Sequence, residues 1–355
     1  ANDADYVVIN YDGVEIIADD IAASGFDLII VDEATHYKNV QTRRWKSLNK
    51  LIKDDTWLWM MTGTPAAQSP LDAYGLAKLV NPTGVPRYFG SFRDQVMFKL
   101  TRFKWEVKEN ATETVFNALR PAIRFTKEEC LDLPEMVYIK RKVELTPQQK
   151  KYYKELKTRM VMQAAGEEVT AVNAAVNMNK LLQISAGAVY TDNGQALEFD
   201  IKHRYKVLME AIQETSSKVL VFVPFKHTIG ILSRRLTSDG ISNAVIQGDV
   251  PVNKRTEIFR AFQEQSDPRV LVVQPAAASH GVTLTAANTV VWWAPTSSLE
   301  TYLQANARIH RAGQKNKCTV VQLHGAPVEQ HVYRLLDDRI DVHTKVIDLY
   351  KELLD

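Results

Sequence analysis

The stretch LIIVDEATHYKN, residues 28–39, decides the fold class. Its first four residues, Leu28 to Val31, are a short apolar run of the kind that forms a buried strand. The run ends in Asp32 and Glu33. Two adjacent carboxylates at the carboxyl end of a buried strand cost desolvation unless something compensates them. A hydrated magnesium ion compensates them: Asp32 then holds the metal, and Glu33 orients or deprotonates a water for in-line attack on a phosphoryl group. Taken alone, the same residues also describe an ordinary solvated strand end.

Working outward, WLWMM (57–61) repeats the buried-strand pattern and closes in the tight polar turn Thr62-Gly63-Thr64-Pro65. With a further apolar run at residues 6–10, these strands alternate with helical stretches, which predicts a parallel sheet in an α/β lobe. From about Leu71 to Gly194 the pattern turns mostly helical, broken at Pro82, Gly84, Pro86 and Gly90, and TDNG (191–194) signals a turn or hairpin. Strands then recur at residues 219–223, 244–247, 270–273, 289–293 and 319–323. Helices at 206–215, 228–238 and 253–263 fall between them, and the tail from about Pro327 to Asp355 reads as one long amphipathic helix. The expected fold is therefore α/β with two lobes built on parallel sheets. The expected divisions are a partial first lobe (1–125), a mainly helical connecting region (126–200), a second lobe (201–326) and a C-terminal helix (327–355).

A second informative segment is QANARIHRAGQ, residues 304–314. Ser297 with Glu300 is a capping-box start and Gly313 a plausible stop, so the segment reads as one helix presenting Gln304, Arg308 and Arg311 on one face. Two guanidinium forks and an amide suit an anion with several oxygens, most obviously a polyphosphate. A surface helix whose arginines pair with carboxylates is the other reading.

In this order the segments resemble the motifs of helicase superfamily two, specifically the Swi/Snf-like ATPases. DEATHYKN is similar to that family's second motif, TGTP to its third, and QANARIHRAGQ to its sixth. IRFTKEECLDLP, VELTPQQKKYY, NMNKLLQISAG, KVLVFVPF, IQGDVPVNKRTEIFRAF and VLVVQPAAASHGVTLTAANTVVWW resemble the segments between them. The resemblance implies two RecA-like lobes with ATP and magnesium in the cleft between them. It places Gln304, His36 and Gly281 with the nucleotide, Arg311 as the arginine finger and Arg308 as a second γ-phosphate contact. It implies that Thr62, Gly63, Thr64 and His36 relay lobe closure. It places nucleic-acid contacts at Asn10, Tyr11, Gly248, Ser279 to Gly281, and Thr283 to Thr285, small or hydroxyl residues suited to tracking phosphates without reading sequence. His280 departs from the small residue common at its position. Lys99, Arg102, Lys104 and Lys108, interleaved with Phe103 and Trp105, form either a basic-aromatic DNA surface or, the better reading, a solvated helix with a half-buried Trp.

Composition sets limits. At 355 residues with 45% hydrophobic and 24% charged residues, the chain is an ordinary globular protein of roughly two domains. No apolar run approaches a membrane span, and the N-terminal residues do not make a signal peptide. Cys130 and Cys318 fit neither a disulfide framework nor a zinc site, which points to a reducing cytoplasm or nucleus, or the host cytoplasm for a viral protein. A net charge of +2 confines any nucleic-acid surface to a local groove.

No G-x-x-x-x-G-K-[ST] motif occurs, and no glycine is followed by lysine. The phosphate-binding loop is expected upstream of Tyr6, so the chain reads as a piece lacking the first strands of lobe one, inactive by itself. The function expected of the intact protein is an ATP-dependent translocase or helicase acting as a monomer on double-stranded or branched DNA, independent of sequence. A non-hydrolysing nucleic-acid-binding module with a vestigial ATP site, and an RNA helicase, are the alternatives.

Overall fold

The computed structural model describes residues 4–66, 69–101, 105–125, 127–166, 170–190, 195–278, 281–339 and 345–354. The chain divides into two compact units, Ala1–Thr126 and Lys127–Asp355.

In the first unit, β1 (Leu28–Val31) and β2 (Trp57–Met60) pair in parallel, from Leu28 opposite Trp57 to Val31 opposite Met60. Alternation puts Ile29, Val31, Leu58 and Met60 on one face. They pack there with Leu48 of the helix Arg43–Leu51 and with Leu76 and Leu79 of the helix Ala73–Val80. On the other face Ile30, Trp57 and Trp59 are 49%, 71% and 55% exposed. The expectation of buried strands is thus corrected: on the one side where helices cover them, Val31 is buried and Ile29, Leu58 and Met60 partly so. Residues 6–10, expected as a strand, form none, because no described strand lies beside them to take up their backbone hydrogen bonds. A second small core joins Tyr74 and Ala77 to Phe92, Val96, Val115 and Ala118. Beside it β3 (Met97–Lys99) and β4 (Trp105–Val107) form an antiparallel hairpin where a solvated helix was the expectation. Trp105 is half-buried under the Arg93 guanidinium, 4.0 Å from its ring centre, and Lys108 Nζ donates to the Asp94 carbonyl at 2.6 Å. Arg102, Phe103 and Lys104 lie outside the described residues.

The second unit is built on a six-stranded, all-parallel sheet. Its strands are β5 (Met136–Lys142), β8 (Lys218–Phe222), β9 (Asn243–Ile246), β10 (Val270–Val273), β11 (Ala287–Trp292) and β12 (Cys318–His324), in the order β5-β12-β11-β8-β10-β9. The small hairpin of β6 (Ala188–Tyr190) and β7 (Ala196–Glu198) flanks the TDNG turn, which itself lies outside the described residues. Alternate residues feed two cores. Leu220, Phe222, Leu271, Val290, Trp292 and Val320 pack on one side, and Val219, Val221, Val270, Val272, Val291 and Val321 on the other. Burial of each such side chain stabilises by roughly 1.5–3 kcal/mol.

Two expectations change here. The stretch 126–200 is not only helical, because its MVYIKRK run supplies the edge strand β5; the three cations Lys140, Arg141 and Lys142 masked a strand whose outer edge has no described partner. The tail is two helices, Pro327–Asp337 and Val346–Leu354, not one. Its second helix buries Leu349, Tyr350 and Leu353 in the same core as Met160 and Met178. A buried ion pair ties the first tail helix to the sheet: Arg204 Nη2 meets Glu329 Oε2 at 2.8 Å, with side chains 3% and 0% exposed. Arg204 Nη1 also donates to the Trp293 carbonyl, and Glu329 Oε2 accepts from the backbone of Gly325 and Ala326.

Candidate active site and nucleic-acid contacts

In the first unit the two motif loops are stitched together by the sheet they leave. Met61 N donates to Val31 O at 2.8 Å, and Ala34 N donates to Met61 O at 2.9 Å. Asp32-Glu33 and Thr62-Gly63-Thr64 therefore sit side by side at the carboxyl ends of two parallel strands, where ligands bind in open α/β sheets. Asp32 is exposed and its Oδ1 accepts from Glu33 N at 3.0 Å. Glu33 lies at φ 47°, ψ 52°, a left-handed conformation that costs a non-glycine residue about 1–3 kcal/mol and concentrates at functional sites. Thr62 Oγ1 accepts from Thr64 N at 3.2 Å, which fixes the TGTP turn.

Around these loops the fold gathers residues that the sequence had distributed among different roles. Asn10 caps the helix Tyr11–Ile16, its Oδ1 accepting from Gly13 N at 2.8 Å. Tyr11 donates its hydroxyl to the Asp32 carbonyl, and its ring lies 4.6 Å from that of His36. Burial, then the Asp32 and Glu33 carboxylates, push the Tyr11 hydroxyl pKa above its ordinary value, against the pull of Arg44. Arg44, which the sequence did not single out, holds the group together. It is 2.7 Å from Asp12, lies over the Tyr11 ring, and reaches His36 Nδ1 at 3.5 Å. Because a guanidinium only donates, His36 Nδ1 accepts there.

The second omission from the sequence reading is Gly75. A Cβ at that position would sit 2.2 Å from the Lys38 carbonyl oxygen, so the helix Ala73–Val80 presses directly on the backbone that follows His36. Trp45 Nε1 closes the contact by donating to Gly75 O at 2.8 Å. Asp32 and Glu33 also suit magnesium, which is commonly held by one or two carboxylates and completes its octahedron with water and phosphate oxygens. Among the described residues no group of three or more His, Cys, Asp or Glu could cage a metal by itself.

In the second unit the arginine segment differs from expectation. Its helix spans only Leu299–Asn306 and is capped by Ser298, not Ser297, whose hydroxyl accepts from Thr301 N at 3.2 Å. Arg308 and Arg311 lie in the turn beyond it, so they share no helix face with Gln304, whose amide donates to Glu300 at 3.2 Å. At its end the chain tightens, Arg308 N donating to Ala305 O at 3.1 Å, and the carbonyls beyond face other elements. Arg308 O accepts from Leu284 N, and Ile309 O from the Gln314 side chain. Gln314, 6% exposed, organises the turn: its Nε2 reaches Thr285 O, Ala287 O and Ile309 O, and its Oε1 accepts from Lys315 N and Asn316 N. His310 Nε2 lies 2.8 Å from Pro134 O. Arg308 is 3% exposed and its Nη1 faces Val282 O at 3.4 Å, whereas Arg311 is only half-buried. Of the two, Arg311 is the one open to a ligand.

Several residues expected to contact nucleic acid are held from within. Gly248 N donates to Gln274 Oε1 at 3.1 Å and Gly248 O accepts from Arg255 at 2.7 Å. Thr285 Oγ1 accepts from Gln263 Nε2 at 3.0 Å. Thr283 and Gly281 are exposed, Gly281 at φ 60°; Ser279 and His280 lie outside the described residues. No sequence signal marked Gln263, Gln274 or Arg255, because isolated polar residues on helices and strand ends carry no periodicity.

Comparison with known proteins gives this arrangement its place. The SNF2-related domain model matches residues 1–189, and the helicase conserved C-terminal domain model matches residues 203–313. An uncharacterized ATP-dependent helicase of Mycoplasma genitalium is 27% identical over 85% of this chain and 29% of its own length. The SWI/SNF-related matrix-associated actin-dependent regulator of chromatin subfamily A-like protein 1 of Xenopus tropicalis is 24% identical over 94% of this chain and 35% of its own. The chain thus spans about a third of these curated relatives. The Sulfolobus solfataricus SWI2/SNF2 ATPase core, solved in complex with dsDNA, matches the fold with a TM-score of 0.51 at 20% identity, over 97% of this chain and 75% of that one. With the SNF2-related model covering more than half of its residues, the chain belongs to the Swi/Snf-like ATPases of helicase superfamily two.

Proposed function

We propose that the protein is an ATP-dependent DNA translocase that couples hydrolysis to sequence-independent movement on duplex or branched DNA. The observation that carries this reading is the stitched pair of loops. Asp32, Glu33 and the TGTP turn share one end of one sheet, fastened by the Ala34–Met61 hydrogen bond. In this reading Asp32 holds magnesium and Glu33 orients the attacking water. Arg311 stabilises charge on the transferring phosphoryl group; magnesium, when bound, would neutralise charge on the phosphates. The Tyr11–His36–Arg44 group rests on the same loop as Asp32, which supports a role in passing the state of the ATP site to nucleic acid. Arg308, being buried, serves by fixing the turn that carries Arg311.

Steady-state ATP turnover by the intact protein, with and without duplex DNA, tests this. The reading expects strong stimulation by DNA of any sequence, together with triplex displacement in the same buffer. Turnover that ignores DNA, or that responds only to RNA, would remove it.

A further inference from the structure

The 20-residue helix Pro147–Gly166 begins in the VELTPQQKKYY segment and carries none of the site residues assigned above, yet it concentrates charge. It holds Lys150, Lys151, Lys154, Lys157 and Arg159 against one carboxylate, Glu155. Its net charge is therefore +4 in a chain whose total is +2, so the remaining residues sum to −2. The cations are not spread around the helix. Gln149, Tyr153, Leu156 and Met160 recur at helical spacing on the inner side, Gln149 and Met160 buried and the other two partly so. Lys150, Lys151, Lys154, Thr158 and Arg159 are exposed on the outer side.

The inner side is firmly seated, which makes the outer side a rigid platform. Gln149 Nε2 donates to Ile184 O at 2.9 Å and Ser185 O at 3.1 Å, and Met160 O accepts from the Tyr350 hydroxyl at 3.4 Å.

Among the described residues, the neighbouring helices do not neutralise this face. The adjoining helix Ala171–Ala186 has no carboxylate, and its one charged residue is Lys180. The carboxylates of the helix Val346–Leu354 are taken up elsewhere, Asp348 by Lys345 and Glu352 by Arg334. Among the described residues no salt bridge engages Lys150, Lys151, Lys154 or Arg159. Lys151, Lys154, Glu155, Thr158 and Arg159 line a shallow depression of about 420 Å³. Cations one helical turn apart, with a hydroxyl between them, match a row of phosphates and carry no means of reading bases.

We infer that the outer face of Pro147–Gly166 is a phosphate-backbone docking surface for duplex DNA, additional to the contacts borne by the motif loops. The choice of DNA among polyanions rests on the proposed translocase reading. The face itself rests on charge and geometry alone.

The test is duplex binding by fluorescence anisotropy across a salt series, using the intact protein and the triple variants Lys150→Glu/Lys151→Glu/Lys154→Glu and Lys150→Gln/Lys151→Gln/Lys154→Gln. Loss of three phosphate contacts should reduce the slope of log affinity against log salt by roughly 2.7 and weaken binding roughly tenfold or more near 0.1 M salt. The Gln variant, which keeps helix propensity, should show the same slope change with an unaltered melting temperature. Wild-type affinity and slope in both variants would overturn the inference, as would weakened binding with an unchanged slope. An effect seen with duplex RNA or poly-glutamate but not with duplex DNA would overturn the assignment to DNA. If the wild-type protein itself ignores duplex DNA, the translocase reading fails, an outcome distinct from loss of the lysine effect alone.

Discussion

The six-stranded sheet of the second unit and the two-stranded sheet of the first are written in the same residues but covered differently. In β8 and β10 the valines and leucines are fully buried from alternate faces by two layers of helices. In β1 and β2 the same kind of apolar run is covered, and only partly, on one face, and Trp57, Trp59 and Ile30 stand on the other. An apolar parallel strand therefore predicts pairing and direction, but not how many sides are covered. The two larger cores lie in the second unit. The chemistry proposed for Asp32 and Glu33 sits on the less covered sheet, where the strained Glu33 and the exposed Asp32 lie.

Breaking the second unit should have the largest consequence. Arg204→Ala leaves the buried Glu329 carboxyl without its ion-pair partner and should cost about 3–5 kcal/mol in denaturant unfolding. Replacing both partners with methionine should restore most of that loss. A sharper contrast comes from matched truncations. Leu220→Ala in β8 should cost about 2–5 kcal/mol, whereas Trp59→Ala in β2 should change stability by only about 0.5 kcal/mol. Equal losses at the two sites, measured by chemical denaturation, would erase the difference between the sheets.

Gly75→Ala should cost about 1–3 kcal/mol, because its Cβ meets the Lys38 backbone with little room to yield. Trp45 fluorescence reports that unfolding locally, since the indole is bonded to Gly75 O. The smallest expected effect is on pH dependence. Burial, reinforced by Arg204, Lys140 and Lys142 and opposed by Glu329, lowers the His324 pKa below its ordinary 6.5. The neutral ring is the form the fold prefers. Its contribution is complete above pH 6.5 and is lost as pH falls from there through the depressed folded value. His324→Gln should flatten the stability profile on the acid side of pH 6.5, with little change at pH 8.

Most of the second unit was legible because its strands are uninterrupted apolar runs separated by amphipathic helices; residues 270–273 coincide with β10. β5 was hidden because its cations hide the two-residue alternation of an edge strand. The site was legible as two motif loops, since DEATH and TGTP each follow an apolar run. Their stitching through Ala34 and Met61 was not legible, being a backbone contact between strands 29 residues apart in register. The arginine segment misled for the opposite reason. Its spacing is helical, but beyond Asn306 its carbonyls bond Leu284 and the Gln314 side chain, and no local pattern records such tertiary contacts.

The measurement that bears most directly on the account is DNA-stimulated ATP turnover of Glu33→Gln beside wild type, with ATP and DNA binding measured on the same samples. If Glu33 orients the attacking water, turnover should fall by about 10² or more while both ligands still bind. Wild-type turnover in Glu33→Gln would contradict the assignment of the Asp32–Glu33 loop as the catalytic centre.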